Sequence, residues 1–151
     1  MTTLRLFIRP APLAALAMAV AITALPFAAE AHGSRLTIDQ RGNNNGAAAI
    51  QGGNRQQLSI IQRGRGNTSL STQDGARNKI VVDQRGCHNI SDIDQSGRRN
   101  LVGVVQTGCG NDATVTQSGN RNAVGVIQTG SGNTATSTQR GTGNVVLIVQ
   151  D

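Results

Sequence analysis

From residue 35 onward, hydrophobic and polar side chains alternate in short runs that recur every eleven residues. In Arg35–Gln40 the alternation puts Leu36, Ile38 and Gln40 on one face of an extended chain and Arg35, Thr37 and Asp39 on the other. Every second run repeats this with two large aliphatics inside: Leu58 and Ile60, Ile80 and Val82, Val102 and Val104, Val124 and Val126, Val146 and Ile148. The runs between them offer mostly small side chains at the same places: Ala47 and Ala49, Ser69 and Ser71, Ser91 and Ile93, Ala113 and Val115, Ala135 and Ser137. The pattern predicts eleven β-strands of about six residues, from Arg35–Gln40 to Val145–Gln150.

Polar markers fix the period. Gln stands at the end of each run: Gln40, Gln51, Gln62, Gln73, Gln84, Gln95, Gln106, Gln117, Gln128, Gln139 and Gln150. Gly follows two places after each of the first ten, from Gly42 to Gly141. Asn follows five places after, at Asn45, Asn67, Asn78, Asn89, Asn100, Asn111, Asn122, Asn133 and Asn144, with Gln56 as the exception. A period this strict predicts that each unit stacks on the one before it. Because large and small interiors alternate, the structural unit is twenty-two residues, two strands per coil. The expected fold class is all-β, a two-sheet β-solenoid with a large-lined sheet packed on a small-lined one. The five residues around each Gly are expected to form the turn. Asn above Asn and Gln above Gln are expected to form amide ladders inside the core, and a one-residue slip would turn every inward side chain outward.

Composition changes the picture at the N-terminus. Arg5 and Arg9 precede an apolar stretch, Ala11–Leu25, and Ala29 and Ala31 offer small residues at a cleavage point before His32. Residues 1–31 are therefore expected to be a secretion signal peptide and residues 32–151 the repeat solenoid. Beyond residue 31 the chain has no Phe, Tyr, Trp or Glu. Aliphatics, Gly, Gln, Asn and Thr must then offset the conformational entropy of folding, which a stacked repeat achieves more readily than an ordinary core. The formal net charge of +6 falls to +5 once Arg5, Arg9 and Glu30 are set aside, and Arg carries nearly all of it. The repeats hold no Gly-Lys phosphate loop, no His-Glu-x-x-His pair and no Gly-x-Ser-x-Gly elbow. No enzymatic activity, cofactor, metal or small-molecule substrate is expected. The strands at either extremity present unpaired N–H and C=O groups, and Val145–Gln150 is apolar on both faces and free of Pro. Such edges predict end-to-end polymerisation.

The repeat resembles the curlin family, the subunits of bacterial curli fibres, whose units read Ser/Asn-x5-Gln-x-Gly-x-x-Asn-x5-Gln. Ser34, Gln40, Asn45 and Gln51 reproduce the unit, as do Asn67, Gln73, Asn78 and Gln84, and the match runs over residues 34–150. The resemblance implies secretion of an unfolded chain through an outer-membrane pore and nucleated amyloid assembly at the cell surface, in company with a second curlin subunit. It also implies roles in adhesion and biofilm matrix. Two features depart from the family pattern. With cleavage before His32, only Gly33 separates the new terminus from Ser34, where the major curli subunit carries a Gly- and Asn-rich leader. The aromatics common in enteric curlins are missing as well.

Other residues fall into columns at the same spacing. Arg41, Arg63 and Arg85 form one series and Arg55, Arg77, Arg99 and Arg121 another. Each is expected to line a turn edge, either as a gatekeeper that keeps the chain soluble or as a nonspecific polyanion-binding edge. Cys87 and Cys109 share one turn position in neighbouring coils, which predicts a disulfide; a metal site with His88 would lack a fourth ligand. The alternative to a fibre subunit is a monomeric β-solenoid binding module. For ice binding, the outward Thr68, Thr72, Thr114, Thr116, Thr134, Thr136 and Thr138 are interrupted by Ile90, Asp92 and Asp94. For a calcium-binding repeat, the turns carry Asn and Arg where Asp ligands are needed.

Overall fold

The Gly two places after each Gln allows consecutive coils to lie in hydrogen-bonding contact without a break at the bend. Gly86 has φ +116°, and a Cβ there would sit 2.0 Å from the carbonyl oxygen of Gly108 in the next coil. Only a residue without a side chain fits. The strands therefore run through this Gly, and the chain reverses over just two residues. The computed structural model describes residues 33–151 and, as backbone, the strand Thr3–Ile8. The rest of the expected signal segment lies outside the described residues.

Twelve strands result: β1 (Thr3–Ile8), β2 (Arg35–Asn43), β3 (Gly46–Asn54), β4 (Gln57–Arg65), β5 (Thr68–Ala76), β6 (Lys79–Cys87), β7 (Ile90–Arg98), β8 (Leu101–Cys109), β9 (Asp112–Asn120), β10 (Ala123–Ser131), β11 (Thr134–Thr142) and β12 (Val145–Gln150). The large-lined sheet has the order β1-β2-β4-β6-β8-β10-β12 and the small-lined sheet β3-β5-β7-β9-β11. All pairings are parallel, and from β2 onward each joins residues twenty-two apart, for example Gln62 with Gln84 and Gln84 with Gln106. The chain is an all-β, two-sheet solenoid in which eleven strands wind about five coils. One expectation is corrected. Strands β2 to β11 are nine residues long rather than six, because the residues after Gln keep pairing with the next coil, and the turns are correspondingly short. A strand beyond the eleven, β1, lies parallel on the free edge of β2, from Thr3 beside Arg35 to Ile8 beside Gln40.

The turn residues are tied between coils as firmly as the strands. The N–H of His88 donates to Arg65 O at 2.9 Å and that of Arg77 to Asn54 O at 2.9 Å, so the backbone ladder continues around each edge. The core is the seam between the sheets. Ile60, Ile80, Val82, Val102 and Val104 are wholly buried from one side, and Ala113, Val115 and Ile93 from the other. Each fully buried large aliphatic contributes roughly 1.5–3 kcal/mol.

Candidate functional site

The Gln side chains stack in two ladders with a single polarity. In the large-lined sheet Gln62 Nε2 donates to Gln84 Oε1 at 2.8 Å, Gln84 to Gln106 at 2.8 Å and Gln106 to Gln128 at 2.9 Å. Gln40 donates to Gln62 and Gln128 to Gln150 in the same sense. The small-lined sheet repeats it from Gln51 to Gln73, Gln95, Gln117 and Gln139. Large-lined amides also reach the facing strand: Gln84 Nε2 donates to Thr68 O at 3.0 Å and Gln106 Nε2 to Ile90 O at 2.7 Å. A buried amide with all its groups paired adds roughly 1 kcal/mol per bond; left unpaired it costs ~1–3 kcal/mol.

The Asn column works differently from a plain side-chain ladder. Asn89 Oδ1 accepts from the backbone N–H of Asn111 at 3.1 Å, while its Nδ2 donates to Arg85 O at 3.3 Å and Gly108 O at 3.0 Å. It clamps its own turn and the next one together. The same pattern binds Asn100 to Asn78, Asn122 to Asn100, Asn133 to Asn111 and Asn144 to Asn122. Direct Asn-to-Asn amide bonds occur from Asn67 to Asn45 and from Asn89 to Asn67, each 3.1 Å. Gln56, in the Asn place, donates to Gly75 O at 3.1 Å and to Gly52 O, and its N–H donates to Ser34 Oγ at 3.2 Å. Its Oε1 is buried without a partner among the described residues.

Each kind of column keeps one sense, Gln donating to the following coil and Asn Oδ1 accepting from it, so the ends of the solenoid differ chemically and complement each other. At the β2 and β3 end the ladders finish in the acceptors Gln40 Oε1 and Gln51 Oε1. At the β11 and β12 end they finish in Nε2 of Gln139 and Gln150 and in Oδ1 of Asn133 and Asn144. Gln139 Nε2 is buried and has no partner among the described residues. The period shows which residues stack but carries no sign of this polarity, and that is the functional feature sequence reasoning missed.

Arg41, Arg63 and Arg85 lie in register along one edge, where Arg41 pairs with Asp39 at 3.4 Å and Arg85 with Asp83 at 2.7 Å. Arg55, Arg77, Arg99 and Arg121 line the other edge with φ between 56° and 60°, a left-handed turn conformation rare for residues other than Gly, Asn and Asp. They make no ion pair among the described residues. Cys87 and Cys109 are joined by a disulfide, with Cα atoms 4.5 Å apart in adjacent coils. Closing a twenty-two-residue loop this way stabilises by about 3 kcal/mol in the chain-entropy description. The outer face of the large-lined sheet turns apolar toward its C-terminal end, where Leu101, Val105, Ile127, Val145, Leu147 and Val149 are exposed. No group of three or more His, Cys, Asp or Glu side chains suited to a metal occurs among the described residues.

Residues 91–119 and 110–136 match the curlin-associated repeat. No curated protein matches the chain. The matched stretch runs from β7 to the start of β11, with the disulfide-bonded Cys109 inside it.

Proposed function

We propose that this chain, which belongs to the curlin family, is the structural subunit of an extracellular amyloid fibre that grows by end-to-end stacking of solenoids. The observation that carries the proposal is the chemical complementarity of the two ends. Donors finish the Gln ladders at one end and acceptors finish them at the other, in the register that already joins coil to coil. Adding a second copy continues the Gln ladders across the junction, donor to acceptor, so assembly needs no surface of a new kind.

The curlin-associated repeat supports a wider reading. The subunit acts in cell adhesion and biofilm matrix, leaves the cell through an outer-membrane pore after loss of residues 1–31, and meets a second curlin subunit as nucleator or major component. An apolar exterior near β12 suits lateral contact between filaments. The test is seeded assembly: mature chain diluted from denaturant should give thioflavin fluorescence after a lag that preformed fibres abolish. A chain that stays monomeric and unstructured for days, or fibres without the cross-β spacing, would refute the proposal.

The Arg55, Arg77, Arg99 and Arg121 edge favours a second, compatible role in nonspecific binding of polyanions, because these cations have no carboxylate partner among the described residues while Arg41 and Arg85 do. Binding of this kind must weaken steeply with salt.

A further inference from the structure

The two sheets end one strand apart. The large-lined sheet finishes on β12 and the small-lined sheet on β11, so the rung beyond β11, across from β12, is open. Gln139 Nε2, buried and without a partner among the described residues, belongs to the last rung before this opening. Val146 and Ile148 of β12 are only partly buried, whereas the equivalent Val124 and Val126 one coil below are closed off. The opposite end of the molecule accepts a strand, because β1 lies parallel and in register on β2.

Resting on the assembly proposed above, we infer that successive subunits join by a half-turn about the fibre axis. The β2 strand of the incoming copy lies on β11 and its β3 lies on β12. Each large-lined sheet thus continues into its neighbour's small-lined sheet. Every strand carries Gln at the same place, so Arg35–Gln40 registers on Thr134–Gln139 and Gly46–Gln51 on Val145–Gln150. Gln139 Nε2 then meets Gln40 Oε1 of the second copy, and Gln150 meets Gln51. The Asn133 and Asn144 oxygens meet the N–H groups of Ser34 and Asn45. Strand direction is preserved: each coil runs out in one sheet and back in the other, and a half-turn exchanges the sheets as it reverses the strands.

Simple translation does worse. It would set β2 of the second copy on β12 and leave a strand-wide gap beyond β11, lined by Val146 and Ile148, with Gln139 Nε2 still unmet. The half-turn instead places Leu36 and Ile38 across from Val146 and Ile148, large against large at one rung. The solenoid already holds large side chains in its small-lined sheet, where Ile93 and Val115 are 1% and 0% exposed. Since β1 occupies the edge that β2 must offer, a copy sheds β1 before it joins.

The junction is read by crosslinking between copies. Parallel neighbours in register sit ~4.8 Å apart, and Cys87 and Cys109 show that a disulfide spans such a pair. A chain carrying Asp39→Cys and Thr138→Cys should oxidise within fibres into covalent multimers, and one carrying Asp39→Cys and Val149→Cys should stay largely monomeric on a denaturing gel. The reverse result, or fibres in which neither pair links, overturns the half-turn. Electron cryomicroscopy of unsubstituted fibres gives an independent reading, with a rotation near 180° and a rise of about 26 Å per subunit, five and a half spacings of ~4.8 Å. Fibres with a rotation near zero would overturn the half-turn alone; failure to form fibres at all would overturn the assembly proposal beneath it.

Discussion

The two sheets share one backbone plan and differ in what they place inside. Between β4 and β8 the large-lined sheet fills the seam with Leu58, Ile60, Ile80, Val82, Val102 and Val104. The facing strand β5 and the start of β7 contribute Ser69, Ser71 and Ser91, whose hydroxyls are buried and have no partner among the described residues. A hydroxyl kept without a bond is destabilising, so size rather than polarity explains its place. Small side chains let the sheets approach closely enough for Gln84 and Gln106 to reach Thr68 O and Ile90 O across the seam at 3.0 and 2.7 Å. The reverse reach, from Gln73 to Gln57 O, is 3.4 Å. The large-lined sheet supplies apolar burial and well-paired amides, and the small-lined sheet supplies the room they need.

Substitutions break or sharpen this contrast. Gly86→Ala in one sheet and Gly97→Ala in the other should be equally disruptive, because each Cβ would meet a carbonyl oxygen at 2.0 Å. A loss of more than about 4 kcal/mol is expected, enough to abolish the fold in denaturant titrations followed by circular dichroism. Gly103→Ala, with no atom within 4 Å of its Cβ, should stay within ~0.5 kcal/mol of the parent. Unequal effects of Gly86→Ala and Gly97→Ala would contradict the shared plan. Ile80→Ala should cost about 2–5 kcal/mol through the cavity it leaves in the seam. Gln84→Ala should cost ~1–3 kcal/mol by orphaning its neighbours, and Gln95→Ala less, since the Gln95 amide bonds along its ladder but makes no bond across the seam. Equal midpoints for the two Gln variants would show that the cross-seam bonds add nothing. Ser91→Ala should be neutral or stabilising by up to about 1 kcal/mol, because it removes a hydroxyl that has no partner. A clear destabilisation would mean that the hydroxyl is paired.

The period of eleven was enough to read the number of repeat strands, the division into large-lined and small-lined sheets and the columns of Gln, Asn and Arg, because stacking is a matter of register alone. The strands are longer than the period suggests for a physical reason. The Gly after each Gln looks like the centre of a turn, yet Gly42 and its counterparts sit inside the ladder, their positive φ bending the chain without breaking its pairing. Ladder polarity was illegible, since an amide can be turned either way and only the geometry of the turn carbonyls fixes its sense. Asn89 illustrates this: its Nδ2 is held by Arg85 O and Gly108 O, which leaves the oxygen facing the next coil. Strand β1 escaped notice because Thr3–Ile8 follows no repeat. An open edge pairs with any extended segment within reach, whatever its period.

One measurement separates this account from ordinary amyloid stacking, in which a subunit contributes a single flat layer to the fibre. Mass per unit length, taken by scanning transmission electron microscopy of unstained fibres, counts subunits along the axis directly. Coiled solenoids joined at their ends should give one subunit in about 26 Å of each filament, five and a half strand spacings. One subunit in ~4.8 Å would mean that identical residues stack between molecules rather than within them, and the solenoid would not be the unit of the fibre.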